Sequence, residues 1–537
     1  MPNPPREADS AALPSTRYVL SIDLGSGGPK AAVVSDTGQV VASAAGRVPT
    51  HLLPGGGAEQ NPHDWWNGAK TAAQRALHAS GVAPRDIVAV GCDSQFLVAV
   101  PVDAQGEPLM NAVHWMDTRG GPYNRAISRG FPSIQGYNLF KLIKWIRQTG
   151  LAPTHSGVDS LGHILFIKNE RPEVYAKTRA FLEPMDYLNL RLTGEFAASQ
   201  HTMAPMMVVD LRHWGSLDYS AELLKLGGVD REKFPRLIPN DGIIGPLLPE
   251  VAEELGLAPS TPVLAGMNDT CAMAIGGGSV QDLRGIICIG TSLVMTCHLP
   301  FKKTDPIHLM TSMPSPVADR YLLLAEQGTG GKCLEHFLAS TVYCDDAFGT
   351  GPLPEDAYDR ADRIAAGVPA GSEGLLFLPW LNGTFAPEEN PTARGGFFNL
   401  SLSSTRGHMT RAIMEGIAYN NRWTRGPAEK LAGRRFDHFR FAGGGALSDT
   451  WAQIHADVLG TPVHQLADPT LAAVRGPAFL AFDKLGIRSL ERLADLVPVK
   501  RVYEPDPSHR AVYDRMYAGF RAVFKSNKNV FAALNTE

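Results

Sequence analysis

Leu264-Ala265-Gly266-Met267-Asn268-Asp269-Thr270-Cys271-Ala272-Met273-Ala274-Ile275-Gly276-Gly277-Gly278, at the middle of the chain, orders the reading of everything around it. An apolar, strand-like run over 261–265 breaks at Gly266, a carboxylate follows at Asp269, and a short helix-like run ends in three glycines. Shortly afterwards Gly285-Ile286-Ile287-Cys288-Ile289-Gly290-Thr291-Ser292 predicts a second strand ending in a small, hydroxyl-bearing turn. A lone acid thus stands beside a turn able to cradle phosphate. These residues admit two readings: the centre of an active site, or a helix cap beside a hairpin.

The start of the chain repeats the device. Tyr18 to Ile22 reads as a buried strand, Asp23-Leu24-Gly25-Ser26-Gly27-Gly28-Pro29 as a tight turn, and Lys30 to Val34 as the returning strand. A dinucleotide fingerprint would lead from strand through glycines into a helix. Here the glycines join two strands, so they form a hairpin tip whose backbone N–H groups can nest an anion; a plain glycine-rich hairpin is the simpler alternative. Two such hairpins facing one another across a cleft could hold the phosphates of a nucleotide from both sides.

Strand, hairpin, strand, helix, strand is a mixed α/β order, which fits twisted sheets with helices on their faces. Residues 120–200 read as mostly helical. Trp115-Met116-Asp117-Thr118-Arg119, at the entrance to that region, either lines a cleft or packs an ion pair on a tryptophan. Gly328-Thr329-Gly330-Gly331-Lys332 fails as a Walker loop, because Glu326 and Cys333 stand where glycine and a magnesium-binding hydroxyl are needed. It reads instead as a loop opening a helix near the nucleotide. Phe439 to Ala442 is a strand stopping at Gly443-Gly444-Gly445, with an amphipathic helix over 449–459 capped by Ser448 or Asp449. A small-residue helix over 471–482 is expected to close over that turn.

At 537 residues the chain exceeds what one core usually serves, so two domains are expected. A hydrophobic content of 44% with 19% charged residues places it among globular proteins rather than disordered ones. The net charge of −4, with basic residues scattered, gives no reason to expect nucleic acid or an anionic membrane as partner. No apolar run reaches the ~18 residues that a membrane span needs. The six cysteines lack Cys-x-x-Cys spacing and read as reduced thiols in a cytoplasmic protein, without structural zinc. The first 16 residues lack the basic start and apolar centre of a signal peptide and read as a disordered tail.

With these pieces in order, the sequence resembles the FGGY carbohydrate kinases, most nearly their xylulokinase-like branch, over roughly residues 18–485. Ile22-Asp23-Leu24-Gly25-Ser26-Gly27 resembles the first phosphate motif of that family and Gly290-Thr291-Ser292 the second. Gly443-Gly444-Gly445-Ala446-Leu447-Ser448 resembles the adenosine motif. Further landmarks are Glu59 to Trp66, Trp115 to Arg119, Asn169 to Tyr175, Phe181 to Leu188, Arg191 to Phe196, Phe377 to Thr384 and Ala393 to Phe398.

The resemblance implies two ribonuclease-H-like domains of the actin and sugar-kinase type, the sugar side over 17–265, the ATP side over 266–500 and a helical tail over 501–537. It implies ATP and Mg2+, phosphorylation of a sugar or polyol hydroxyl, and a homodimer as one open state. Asp269 stands where the family has its general base. Asp93, Gln95, Asn268 and Thr270 are expected to join it in binding substrate. Asp23, Gly25, Ser26, Gly27, Lys30, Gly290, Thr291, Gly330, Gly443, Gly444, Gly445 and Ser448 are expected on the nucleotide, with Asp23 also on the metal. After Gln95 the xylulokinases carry Met-His and the glycerol kinases Arg-Glu; here the pair is Phe96-Leu97, which offers no side-chain hydrogen bond to a hydroxyl. The substrate expected is pentulose-like. An actin-like ATPase, and a kinase-fold protein that binds sugar without turnover, are the rival readings.

Overall fold

A computed structural model describes residues 16–535. Its N-terminal sheet is built from β1 (Tyr18–Gly25), β2 (Gly28–Ser35), β3 (Val40–Ala45), β4 (Ile87–Ser94), β5 (Ile243–Pro246), β6 (Pro262–Leu264) and the short β7 (Met267–Asn268). The spatial order is β5-β6-β4-β1-β2-β3, with β7 also beside β4. Helix α1 (Pro62–Ser80) covers one face through Trp65, Ala69, Ala73 and Ala76. Leu20, Ile22 and Leu24 are buried on one face of β1 and Val19, Ser21 and Asp23 on the other, so the strand is covered on both sides, as one sandwiched between helical layers must be.

Helix α2 (Asp269–Gly276) leads into the second sheet. Its strands are β8 (Gly285–Ile289), β9 (Ser292–Leu299), β10 (Thr304–Asp305), β11 (Met310–Pro314), β12 (Tyr321–Thr329), β13 (Phe439–Ala442), β14 (Val463–Leu466) and β15 (Val499–Tyr503). They lie in the order β10-β11-β12-β9-β8-β13-β14-β15. In both sheets the first strand pairs antiparallel with the strand after its turn and parallel with a later strand on its other side. The echo between β1–β2 and β8–β9 is therefore topological as well as local.

The longest helices after the first strand of this sheet are α3 (Arg406–Ala432), α4 (Asp449–Leu459), α5 (Ala472–Lys484) and α6 (Arg510–Asn535). The helix expected to close over the glycine turn is α5, but it lies elsewhere. It packs across β1 and β4 of the N-terminal sheet and crosses α2. Almost every side chain from Ala472 to Phe482 is buried, so the helix carries no polar face to offer a solvent-filled cleft. The crossing is backbone to backbone. A Cβ on Gly276 would sit 2.0 Å from the Ala472 carbonyl oxygen, and one on Gly476 would sit 2.4 Å from that of Ala272.

The helical tail expected over 501–537 needs correction. Its first residues belong to β15, which pairs antiparallel with β14, so a boundary at 500 cuts a strand. Beyond it, α6 buries Tyr513, Phe520 and Phe524, and the two phenylalanines pack on Trp380 and Trp423. The tail expected over 1–16 lies, all but its last residue, outside the described residues. Among the described residues no helix is long and apolar enough to cross a membrane, and all six cysteines are free.

Candidate active site

Asp23 and Asp93 are register partners on β1 and β4, and Met267 of β7 is the partner of Asp93 on the other side. Three neighbouring strands therefore end together at Asp23, Asp93 and the pair Asn268-Asp269. Asn268 is the cap: its backbone is extended and its Oδ1 accepts the Cys271 N–H at 2.8 Å, which starts α2. Asp269 occupies the first turn, where the helix end favours a carboxylate. Capping thus falls to Asn268, and the Asp269 carboxylate is left half-buried with a 3.3 Å bond from the Thr270 hydroxyl.

Burial, then the negative charge of Asp23, raises Asp269 from 3.8 to about 7, against the opposing pull of its bonds from Thr270. Burial and then the charge of Asp269 push Cys288 of β8 up to about 12. Asp269 is thus felt from both sheets. Asp93 is fully buried, its two oxygens have no hydrogen-bond partner among the described residues, and burial followed by Asp23 and Asp269 drives its pKa well above the usual carboxylate range. Lys30, the register partner of Asp23 on β2, holds its Nζ 3.5 Å from the Asp23 carboxylate.

Gln95 is 2% exposed and its amide is engaged within the protein. Its Nε2 donates to Gln60 Oε1 at 2.8 Å, and its Oε1 lies 2.9 Å from His114 Nε2. Gln60 in turn accepts the Trp65 indole N–H and donates to the Ser26 carbonyl, so this network fixes the floor beneath the β1–β2 tip. Trp115 donates its indole N–H to Ser26 Oγ at 2.9 Å while its ring stays 39% exposed. Beside it Arg119 pairs with Asp117 and Glu59 and stacks on Phe166. The ion pair expected in 115–119 forms, but it packs on Phe166 rather than on Trp115. Phe96 and Leu97 are half-buried, and Leu97 takes a left-handed φ of 64° just before Val98, whose N–H is held by the buried Glu183.

On the second sheet the carbonyls of Gly290 and Thr291 accept the N–H groups of Gly331 and Gly330 at 2.7 and 2.9 Å. Gly330 thereby braces the Thr291 turn. Gly443 adopts φ 83°, and a Cβ there would meet the Ile289 carbonyl oxygen at 2.6 Å. A Cβ on Gly445 would meet the Ile289 side chain at 2.7 Å, whereas one on Gly444 would meet nothing within 4 Å. The triple glycine therefore seats two residues against β8 and leaves the third with an open face. Ser448 caps α4 by accepting the Trp451 N–H at 2.9 Å and also bonds Asp362.

Sequence reasoning passed over His201, whose Nε2 accepts the Asn268 N–H at 3.1 Å. A single histidine in the run Ala197 to Met207 carries no spacing or periodicity to mark it, and the pairing spans 67 residues.

Residues 18–276 match the FGGY family of carbohydrate kinases, N-terminal domain, and residues 285–483 match its C-terminal domain. The chain belongs to the FGGY carbohydrate kinases. It is 26% identical over 521 residues to a xylulose kinase from Bacillus subtilis, covering 97% of this chain and 99% of that protein. A gluconokinase from the same organism is 26% identical over 453 residues, covering 83% and 84% of the two chains. The crystal structure of a xylulose kinase from Rhodospirillum rubrum superposes with a TM-score of 0.82 at 25% identity, covering 96% of this chain and all of that one. This carbohydrate kinase thus has the two-domain, ribonuclease-H-like α/β fold read from its sequence, and family membership sets aside the actin-like ATPase reading.

Proposed function

We propose that this kinase transfers the γ-phosphoryl group of ATP to a hydroxyl of a pentulose-like sugar or polyol, with Asp269 as general base. The observation that carries the reading is the position of Asp269 at the head of α2, within electrostatic reach of Asp23 of β1 and Cys288 of β8, with its pKa near 7. The sugar O–H gives its proton to the Asp269 carboxylate as its oxygen bonds the γ-phosphorus. The bridging P–O bond breaks, and ADP leaves with that electron pair. Asp93, Asn268 and Thr270 shape the sugar end around Asp269. Gln95 acts there through the floor it builds with Gln60 and His114.

The donor set suits a nucleotide with its cation. Asp23 supplies a carboxylate at a hairpin tip beside Lys30, and the open face of Gly444 offers a flat backbone surface for the adenosine. When bound, Mg2+ neutralises charge developing on the phosphates. The half built on the N-terminal sheet, β7 included, forms the sugar side and the half built on the second sheet, β15 included, the nucleotide side, in an enzyme of the cytoplasm.

A panel of ketoses, polyols and aldonates, scored for ADP release with MgATP, tests the reading. D-Xylulose, D-ribulose and gluconate belong in it because the relatives are named for xylulose and for gluconate. Phe96-Leu97 in place of hydrogen-bonding side chains favours a substrate with fewer hydroxyls at that end. Turnover with one member is the expected result, and ADP release that ignores every sugar would overturn it.

Two further outcomes follow. For free enzyme, kcat/KM for the sugar falls about tenfold per pH unit below about 7 and is flat above, because the base must be unprotonated and its raised pKa places protonation there. The limb in kcat lies lower, since a cation beside the carboxylate favours its charged form. Gly444→Val weakens ATP binding at least about tenfold, a loss of about 1.4 kcal/mol, and leaves sugar affinity unchanged, because the new side chain points into open space and meets only the ligand. Titration calorimetry with each ligand separately checks this.

A further inference from the structure

We infer that His201 is a positioning residue for Asp269: its imidazole clamps the backbone N–H of Asn268 and ties the mount of the base to the second sheet through the Pro314 carbonyl. The inference rests on the reading of Asp269 as the base. His201 is fully buried in the short helix Gln200–Met203. Its Nδ1 lies 2.7 Å from the carbonyl oxygen of Pro314, the last residue of β11. A carbonyl can only accept, so Nδ1 carries the hydrogen. Nε2 is then a lone pair, and the donor 3.1 Å from it is the Asn268 N–H. The tautomer is set by chemistry, and the ring can serve both partners only in its neutral form.

His201 is itself held. Its own N–H donates to Asn240 Oδ1 at 2.9 Å, and a capping box between Ser199 and Thr202 fixes the helix that carries it. A second buried histidine braces α2 through the residue after Pro314: His298 Nε2 meets Ser315 Oγ at 2.9 Å, and that hydroxyl lies 3.6 Å from Cys271 Sγ. Asn268 is therefore gripped twice. Its N–H is held by His201 while its side chain caps α2. The carboxylate one residue later inherits that placement. Removal of the imidazole acceptor leaves a buried N–H unpaired, and the β7–α2 junction shifts to satisfy it. A displacement of about 1 Å at a base costs up to about 100-fold in rate.

The clamp separates rate from binding. In His201→Phe, which keeps the volume and loses the acceptor, kcat falls about 10- to 100-fold, while KM for the sugar and Kd for ATP stay within about threefold of wild type. His201→Gln places an amide oxygen where Nε2 stood and recovers at least about half of the loss on a logarithmic scale. Amide hydrogen exchange over 267–271 quickens in the Phe variant, and exchange over 472–484 does not. A Phe variant with kcat within about twofold of wild type, an equal loss in the Gln variant, or a rise in KM at constant kcat overturns the inference. Asp269→Asn, run alongside, separates the two levels. If it is inactive while His201→Phe is unimpaired, only the clamp falls; if it turns over at the wild-type rate, the base reading falls and the clamp with it. Should the Phe variant not fold, wild-type exchange decides: an Asn268 amide as protected as the core of α2 supports the clamp, and one exchanging like an exposed loop overturns it.

Discussion

Asp269→Asn turns over sugar about 10²- to 10⁴-fold more slowly than wild type while its affinity for ATP is unchanged. Asparagine keeps the shape and the helix-end position but accepts no proton at neutral pH. The same change moves stability in the opposite direction. A carboxylate whose folded pKa is raised from 3.8 to about 7 holds its proton better in the native state, so its contribution to stability drains away as pH rises through that window. Above pH 7 the wild type carries a charge that its own fold disfavours, and Asp23 adds repulsion. The Asn variant is free of both and unfolds at a higher denaturant concentration at pH 8. An inactive, stabilised variant is a signature that a mere loss of structure cannot give. Single-turnover phosphoryl transfer and urea unfolding at pH 8 measure the two halves.

Gly276→Ala loses about 3 kcal/mol of stability, the upper end of what overpacking costs. The added methyl lies 2.0 Å from the Ala472 carbonyl oxygen and 2.6 Å from the Gly476 amide nitrogen, and neither backbone atom can step aside without moving α5. Since α5 rests on β1 and β4, the displacement propagates to the strands that carry Asp23 and Asp93. Gly519→Ala is the matched control. It is also a helix-interior glycine, in α6, but a Cβ there meets only the Leu376 side chain, at an ordinary contact distance of 3.5 Å, so alanine stabilises by about 0.5–1 kcal/mol. Urea unfolding midpoints of the two variants should move in opposite directions. Equal shifts would remove the close crossing as the cause.

The hairpins, the triple glycine and Asp269 were legible because they are local events: an apolar run, a turn of small residues, a single acid at a helix start. The division of labour between Asn268 and Asp269 was only half legible, since the sequence offers two side chains able to cap and the backbone decides which one does. Gln95 illustrates the opposite case. Its amide looks available in the sequence, yet Gln60 and His114, 35 and 19 residues away, close it off. The tail was misjudged for the same reason. Residues 499–503 carry arginine, lysine and valine without a telling period, and only pairing with Val463 to Leu466 makes them a strand. Arg475 shows the limit most plainly: its Nε donates to the Gly38 carbonyl 437 residues away, and nothing near either residue announces the partner.

The placement of α5 has a consequence for how the chain is made. Strands β1, β2 and β4 leave the ribosome early, but the helix that covers their second face is encoded beyond residue 470. Until it arrives, Val19, Ala32 and Ala89 lack the cover that Phe479 and Phe482 supply in the finished protein. A nascent chain released at the middle of the sequence would hold an open, sticky half-sheet. The two lobes are therefore obligate companions in assembly: the first cannot mature before α5 has been made.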